Sequence, residues 1–326
     1  MKRKLPALFA ALLLTFTLAG CQQAEEAPSS DPSSVPASES ESASTPESSE
    51  PSASSEPEKT YTPVLSLDDY PTVDGSTANI PLMALVMERA AGAETAVAES
   101  AASASTTAQA WRNLSNGYAD LLLVYEAPDS VKEELELGPE LEVAAIGRDA
   151  LVFIVNDANP VESLTLAQLR EIYAGRVTNW KEVGGADAPI VAFQRGEDSG
   201  SQALFEKLLI AGGALMDAPT ELAPASMGGL VDSIAAYNNS ASAIGFSVYY
   251  YIDQMYSQPG LRLLRVEDVA PTNETIADQS YPLCNDFYAV IRASAAPDSP
   301  ERQLYDWLST DAGVDCIRAA GYVPAV

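Results

Sequence analysis

Histidine is absent from all 326 residues. Its absence removes Ser-His-Asp and Cys-His catalysis, HExxH zinc chemistry and most transition-metal sites at once, since each needs an imidazole as base or ligand. Basic residues are scarce: 18 lysines and arginines stand against 46 aspartates and glutamates, for a net charge of −28. Residues 60–326 alone hold 14 basic and 37 acidic side chains, or −23. Nucleic acid is not an expected partner, because binding it takes a basic footprint. A surface this acidic also repels free anions at long range, so an anion site here has to work through local dipoles and a well-placed cation. Cysteine is nearly absent too, with three in the chain. Cys284 and Cys316 form one disulfide in an oxidising compartment or stay as two buried thiols, and spacing does not choose between these. A hydrolase lacking histidine would need Ser-Lys or paired-carboxylate chemistry. Lys132, Lys181 and Lys207 stand in no recognisable pairing with a serine. The chain is expected not to be an enzyme, with no cofactor and no metal.

What is present starts with Lys2, Arg3 and Lys4, followed by an apolar stretch from Leu5 to Ala19 broken by Pro6, Thr15 and Thr17. At about 15 residues it is short for a membrane span, which needs roughly 20; no later segment is apolar enough to be one. The stretch ends in Leu18-Ala19-Gly20-Cys21, and small residues before a cleavage point are usual for a secretory signal. A cysteine directly after Leu-Ala-Gly resembles the lipobox of bacterial lipoproteins. The resemblance implies a signal peptide over 1–20, lipidation at Cys21 and an anchored position on the outer face of the cell membrane. An ordinary signal peptide with a chance cysteine is the alternative. Residues 21–59 then collapse to Ser, Pro, Glu and Ala. Such a composition buries too little surface to offset its ordering entropy, so a disordered tether is expected.

From about residue 60 strand-like and helix-like segments alternate, which argues for α/β architecture. Ile80–Ala91 reads as a helix with Pro81 in its first turn and Gly92 after its end. Ala119–Tyr125, with Leu121, Leu122, Leu123 and Val124, and Leu151–Val155 are continuous apolar runs, typical of buried parallel strands. Thr165 and Gln168 form a capping box that opens a helix closing at Gly175. Ser199–Ile210, Met227–Tyr237 and Glu301–Leu308 read as helices, and Ile190–Phe193, Ala243–Tyr250 and Phe287–Ile291 as strands.

Two places share one design, a strand ending in a polar turn that opens a helix. One is Val73-Asp74-Gly75-Ser76-Thr77 ahead of Pro81. The other is Gln194-Arg195-Gly196-Glu197-Asp198-Ser199-Gly200-Ser201 ahead of Leu204. A helix start leaves backbone N–H groups unpaired and carries the positive end of the macrodipole. Glycine there admits a ligand to the backbone, and hydroxyls add donors. Arg195 can supply a two-pronged fork to an oxyanion. The plainer reading makes Ser76 and Ser199 simple caps and pairs Arg195 with Glu197 on the surface; two such turns on one chain favour an anion clamp.

The run Asn159-Pro160 through Thr165, Gln168, Ile172, Gly175 and Thr178-Asn179-Trp180 to Gly184-Gly185, continuing into Arg195-x-x-x-Ser199-Gly200-Ser201, resembles the solute-binding proteins of phosphate ABC transporters. Asp74-Gly75-Ser76-Thr77, Ala243-Ile244-Gly245-Phe246 and Gly321-Tyr322-Val323-Pro324 fit as well, so the resemblance spans nearly all of 68–326. It implies a two-lobed type II periplasmic-binding-protein fold with a hinge of two crossing strands, Leu151–Val155 and Tyr288–Ile291. Lobe 1 would be 60–153 with 286–326, and lobe 2 would be 154–285. It further implies a monomer that captures inorganic phosphate, or a similar oxyanion, between the lobes and delivers it to an ABC permease. Arg195, Ser199, Gly200 and Ser201 would bind from lobe 2, with Glu197 bracing Arg195. Ser76 and Thr77 would bind from lobe 1. The family's acid that accepts the proton of hydrogen phosphate, and so excludes sulfate, falls on Glu126 with one residue of slippage. Where the family often has a Gly-Ser cluster, Ser103-Ala104-Ser105-Thr106-Thr107 offers Thr106 or Thr107 as a hydroxyl donor. Trp180 is expected to pack lobe 2. The same fold binding another solute, or serving as a sensor or adhesion module without transport, is the alternative.

Overall fold

The computed structural model describes residues 61–236 and 240–325. The signal segment, Cys21 and the tether lie outside these. The strands, in chain order, are β1 (Val73–Gly75), β2 (Leu121–Val124), β3 (Leu141–Asn156), β4 (Ser163–Leu164), β5 (Val191–Ala192), β6 (Ala243–Val248), β7 (Leu261–Leu263), β8 (Arg265–Val266), β9 (Cys284–Arg292) and β10 (Val323–Pro324). The helices are α1 (Ile80–Ala91), α2 (Thr95–Ala101), α3 (Thr107–Ser115), α4 (Asp129–Glu134), α5 (Leu166–Tyr173), α6 (Gly200–Phe205), α7 (Met227–Ala236), α8 (Asn273–Ala277), α9 (Pro300–Leu308) and α10 (Asp311–Ala319). Gly92 ends α1 at φ 71°, a left-handed cap that glycine adopts without steric cost. Thr165 and Gln168 make both bonds of the capping box that starts α5.

One long strand organises the fold. The first part of β3 pairs antiparallel with β9 from Leu141 to Ala150, with a bulge between Ala145 and Gly147, and β9 in turn pairs with β2. From Leu151 onward β3 changes partners and pairs with β6 and β7. Parallel pairs close the two ends, β1 on β2 and β5 on β6. The architecture is the expected mixed α/β one, built around two sheet halves. The sequence marks only the second half of β3, because that half is continuously buried whereas Leu141–Ala145 is partly open to solvent and less apolar. Of the two strands expected to cross, β3 runs through both halves. β9 stays within the first, so the second connection is the segment leading into it, where Leu151 N–H donates to the Leu283 carbonyl at 2.9 Å.

Packing then positions the turns. β2 is buried on both faces. Leu121 and Leu123 join the cluster of Leu82 and Val86 from α1, while Leu122 and Val124 join Ala108, Ala110, Trp111 and Leu114 of α3. Alternation along a strand sends successive side chains to opposite faces, so one strand seats both helices. The Trp111 indole N–H donates to the Tyr125 carbonyl at 3.0 Å, which pins α3 to the segment after β2. In the second half, Phe205 of α6 stacks on Phe246 of β6 at 4.2 Å, with Tyr173 edge-on to Phe205 at 4.7 Å. These buried rings hold α6 against the sheet. Trp180 is buried and donates to the Ser242 carbonyl at 3.0 Å. Cys284 and Cys316 are two free thiols, and burial pushes them up to about 11 and about 12.

Candidate oxyanion site

A cavity of about 360 Å³ lies where the two sheet halves face each other. Three helix beginnings and the turn behind β1 converge on it. Ser76 and Thr77 come from that turn, Thr106 and Thr107 from the start of α3, Ser199, Gly200 and Ser201 from α6, and Ser226, Met227 and Gly228 from α7. Tyr125, Tyr251 and Arg195 complete its polar wall. Each helix start contributes free N–H groups and a positive dipole end, so the lining is built of donors.

Ser76 is buried and makes no capping bond of its own. Its hydroxyl is held instead by Thr107 Oγ1 at 2.7 Å and by the Tyr125 N–H at 3.1 Å. Ser199 does cap α6, accepting from the Gln202 N–H, and also lies 3.0 Å from Ser201 Oγ. Thr106 caps α3 by accepting from the Gln109 N–H at 3.2 Å, while its neighbour Thr107 points inward and is buried. Asp74 stands behind the wall with both oxygens engaged, by Gly75 and Ser105 N–H groups on one side and Ser105 Oγ and Asn113 on the other.

Arg195 is the cation. Its Nε donates to the Pro224 carbonyl at 3.0 Å and its Nη2 to the Ala225 carbonyl at 3.1 Å. Its Nη1 is buried with no partner, and among the described residues no carboxylate pairs with it. Burial pulls the guanidinium down to about 10, which still leaves it charged at neutral pH. The expected brace by Glu197 is therefore corrected. Glu197 lines a separate, larger hollow of about 800 Å³, and two backbone carbonyls hold the fork because the chain before α7 passes beneath it.

Glu126 is corrected as well. Its side chain faces that second hollow, where Lys132 Nζ binds Oε1 at 2.7 Å and Lys207 Nζ binds Oε2. Burial alone would raise this carboxyl, but the two ammonium groups outweigh it and hold it below the usual range. Tyr125, one residue earlier, takes the cavity position because alternation after β2 turns Glu126 the other way. The structure thus brings together Ser76, Thr77, Thr106, Arg195, Ser199, Gly200 and Ser201, and leaves out Glu126 and Glu197. Reasoning from sequence missed Ser105, Tyr125, Ser226, Met227, Gly228 and Tyr251. Ser226-Met227-Gly228-Gly229 is a third polar turn opening a helix, with Ser226 Oγ accepting from the Gly229 N–H at 3.0 Å, and that pattern was the available signal.

Gly200 touches the opposite wall. A Cβ there would fall well inside contact distance of Thr107 Oγ1. Substituting Gly200→Ala should force the two walls apart at about 1–3 kcal/mol, the usual cost of overpacking. Anion affinity is expected to fall roughly 5- to 150-fold by calorimetry, with an unchanged far-UV spectrum. Wild-type affinity would show that the walls need not meet.

The model of the PBP superfamily domain matches residues 44–309. The chain belongs to the PBP superfamily. Among curated members of the phosphate-binding group, the phosphate-binding protein PstS of Borreliella burgdorferi is 29% identical over 199 residues, covering 60% of this chain and 69% of that protein. PstS of Bacillus subtilis is 26% identical over 184 residues, covering 56% of each, so the chain spans only about half of that relative. An ABC-type phosphate transport receptor from Vibrio cholerae superposes with a TM-score of 0.59 at 25% identity, over 77% of this chain and 98% of that one. A putative phosphate ABC transporter substrate-binding protein of Clostridium perfringens, solved with bound phosphate, has the same fold. Its TM-score is 0.59 at 24% identity, over 78% of this chain and 98% of that one. The superfamily fold agrees with the two sheet halves joined through β3 and with a cavity between them.

Proposed function

We propose that this chain is a solute-binding receptor that captures inorganic phosphate outside the cytoplasm and hands it to an ABC importer in the membrane, anchored through Cys21 and acting as a monomer without catalysis. The observation that carries the reading is Arg195, a guanidinium whose buried Nη1 has no partner, on a cavity otherwise lined by hydroxyls and helix starts. A guanidinium taken out of water without a carboxylate costs free energy, and an anion in the cavity offsets that cost. The names of the relatives above support phosphate as the anion and import as the purpose. Among the described residues no helix is long and apolar enough to cross a membrane, so delivery would rest on contact with a separate permease.

Capture follows from the geometry. The walls come from different sheet halves, and closure brings Ser76 and Thr107 up to Gly200 and Ser201. An anion that touches both walls binds the closed form better and shifts the population toward it. Two ion pairs span the mouth, Arg112 to Asp198 at 3.1 Å and Glu126 to Lys207. Both involve exposed partners, so each adds at most about 1 kcal/mol to closure. Glu126 thus acts as half of a clasp in place of the proton check expected from sequence. Calorimetry on ligand-stripped protein is expected to give one phosphate per chain; a folded sample that takes up none would overturn the reading.

A further inference from the structure

The segment Gly321-Tyr322-Val323-Pro324 lines no part of the cavity, yet it is built into the join between the two sheet halves. Val323 and Pro324 form β10, which pairs with Arg148 and Gly147 of β3, just ahead of the point where β3 changes halves. The Ala325 N–H extends that pairing to the Ile146 carbonyl at 3.1 Å. Gly321 follows α10 in a left-handed turn at φ 89°, which the lack of a Cβ permits. The turn sends Tyr322 inward, where it is buried.

Tyr322 meets both halves. Its hydroxyl donates to the Ala78 carbonyl. Ala78 is fully buried and lies in the turn Thr77–Asn79, directly after the cavity residues Ser76 and Thr77. The Tyr322 ring stacks on Tyr250, with centroids 3.5 Å apart and planes 10° from parallel, and touches Phe287 of β9 at 4.9 Å. Tyr250 stands two residues beyond β6, in the second half, and next to Tyr251 of the cavity wall. Its hydroxyl returns to the Ala320 carbonyl at 2.7 Å, and its N–H donates to Asp149 at 3.1 Å.

One ring thus supports the serine and threonine turn of the first half and the strand exit of the second. A buried carbonyl needs its donor, and a buried aromatic pair holds a specific geometry. A rotation that carries Tyr250 away from Tyr322 either pulls the hydroxyl off the Ala78 carbonyl or drags the turn with it.

We propose that Tyr322 is a positioning residue for anion capture, which couples the setting of the Ser76–Thr77 turn to the relative orientation of the two halves. It acts through the Ala78 carbonyl on one side and the Tyr250 ring on the other. The inference rests on the oxyanion reading of the site given above. With the tie made, the turn is set to bind. Without it, the empty protein spreads over orientations that hold the anion poorly, and apparent affinity falls with the competent fraction.

Calorimetric titration with sodium phosphate of the wild type, Tyr322→Phe, Ser76→Ala and the double variant tests it, beside denaturant unfolding of each chain without ligand. Phenylalanine keeps the ring and its stack and removes only the O–H. Tyr322→Phe is expected to bind phosphate about 5- to 30-fold more weakly. The double variant should bind at least about threefold tighter than the two losses multiplied would give, because both changes act on one turn. A tyrosine with a structural role alone would lower the unfolding midpoint and leave the affinity of the folded chain as it was. A loss smaller than about fivefold, or single losses that simply multiply, overturns the inference and leaves the proposed function standing. If Tyr322→Phe does not fold, Tyr250→Leu takes its place, since it spares the Tyr322 hydroxyl and removes the stack, with the same expected loss and the same threshold. A folded wild type that gives no heat with phosphate removes both the proposed function and the inference built on it.

Discussion

Replacing Arg195 with alanine is expected to weaken phosphate binding by about 2–4 kcal/mol, roughly 30- to 1,000-fold. The size follows from where the guanidinium sits. Two of its nitrogens are anchored on the Pro224 and Ala225 carbonyls, which fixes the plane of the fork, and the third is buried without a partner. Among the described residues Arg195→Ala removes the one cation on the wall and leaves the helix starts to hold the anion. Arg195→Lys should recover only part of the loss, because an ammonium is a point charge without the planar fork that reaches both carbonyls and ligand. The fold should survive the change, since the backbone N–H of Arg195 still donates to Gln202 Oε1 at 2.9 Å. Calorimetry gives the affinity. Melting curves with and without phosphate give an independent measure, because a ligand at a hundredfold its Kd adds about 2.7 kcal/mol to stability. Wild-type affinity in Arg195→Ala would mean that the anion is bound elsewhere.

The second large effect concerns Asp149, which sits at the point where β3 changes sheet halves. Its carboxylate gathers three segments: Tyr125 after β2 through the hydroxyl at 2.6 Å, Ala150 of β3 at 2.7 Å, and Tyr250 after β6 at 3.1 Å. Burial pushes the carboxyl up to about 6 from an ordinary 3.8, against hydrogen bonds that pull it down. A carboxyl whose folded value is raised adds stability fully below its unfolded value and loses it as pH climbs through the folded one. Ionising Asp149 should therefore cost the fold ~3 kcal/mol between about pH 4 and pH 6. Other acids, such as Glu126, are held below the usual range and work in the opposite sense. Comparison with Asp149→Asn isolates the one group, since asparagine keeps the shape and an acceptor oxygen. Relative to wild type, the variant is expected to gain ~3 kcal/mol as pH rises from 4 to 7, measured by denaturant unfolding. A difference between the two proteins that stays constant with pH would contradict the assignment.

Much of the site was legible before any fold was known. Arg195 with Ser199, Gly200 and Ser201, and Ser76 with Thr77, stand in turns whose local chemistry is complete within a few residues: an extended stretch, a small residue and a hydroxyl at a helix start. Those features depend on neighbours in sequence, as do the Thr165 capping box and the left-handed Gly92. Thr107 was visible only as one of two adjacent candidates, because which of Thr106 and Thr107 caps and which points inward depends on how Trp111 docks against Tyr125. Ser226 stands in the same kind of turn as the others, its Oγ accepting from the Gly229 N–H at the start of α7.

The sequence by itself determined that this protein has no imidazole chemistry, a heavily acidic balance that rules against long-range attraction of anions, and two hydroxyl-rich helix starts with one arginine. The tertiary structure alone decided what the carboxylates do. Glu126 stands beside the cavity in sequence, yet it is clasped by Lys132 and Lys207, and Arg195 rests on carbonyls near residue 225 rather than on Glu197. Local structure is set by steric and hydrogen-bonding preferences over three or four residues. The partner of a charged side chain is set by which distant segments packing brings within about 4 Å of it, and by which face of a strand the alternation turns it to.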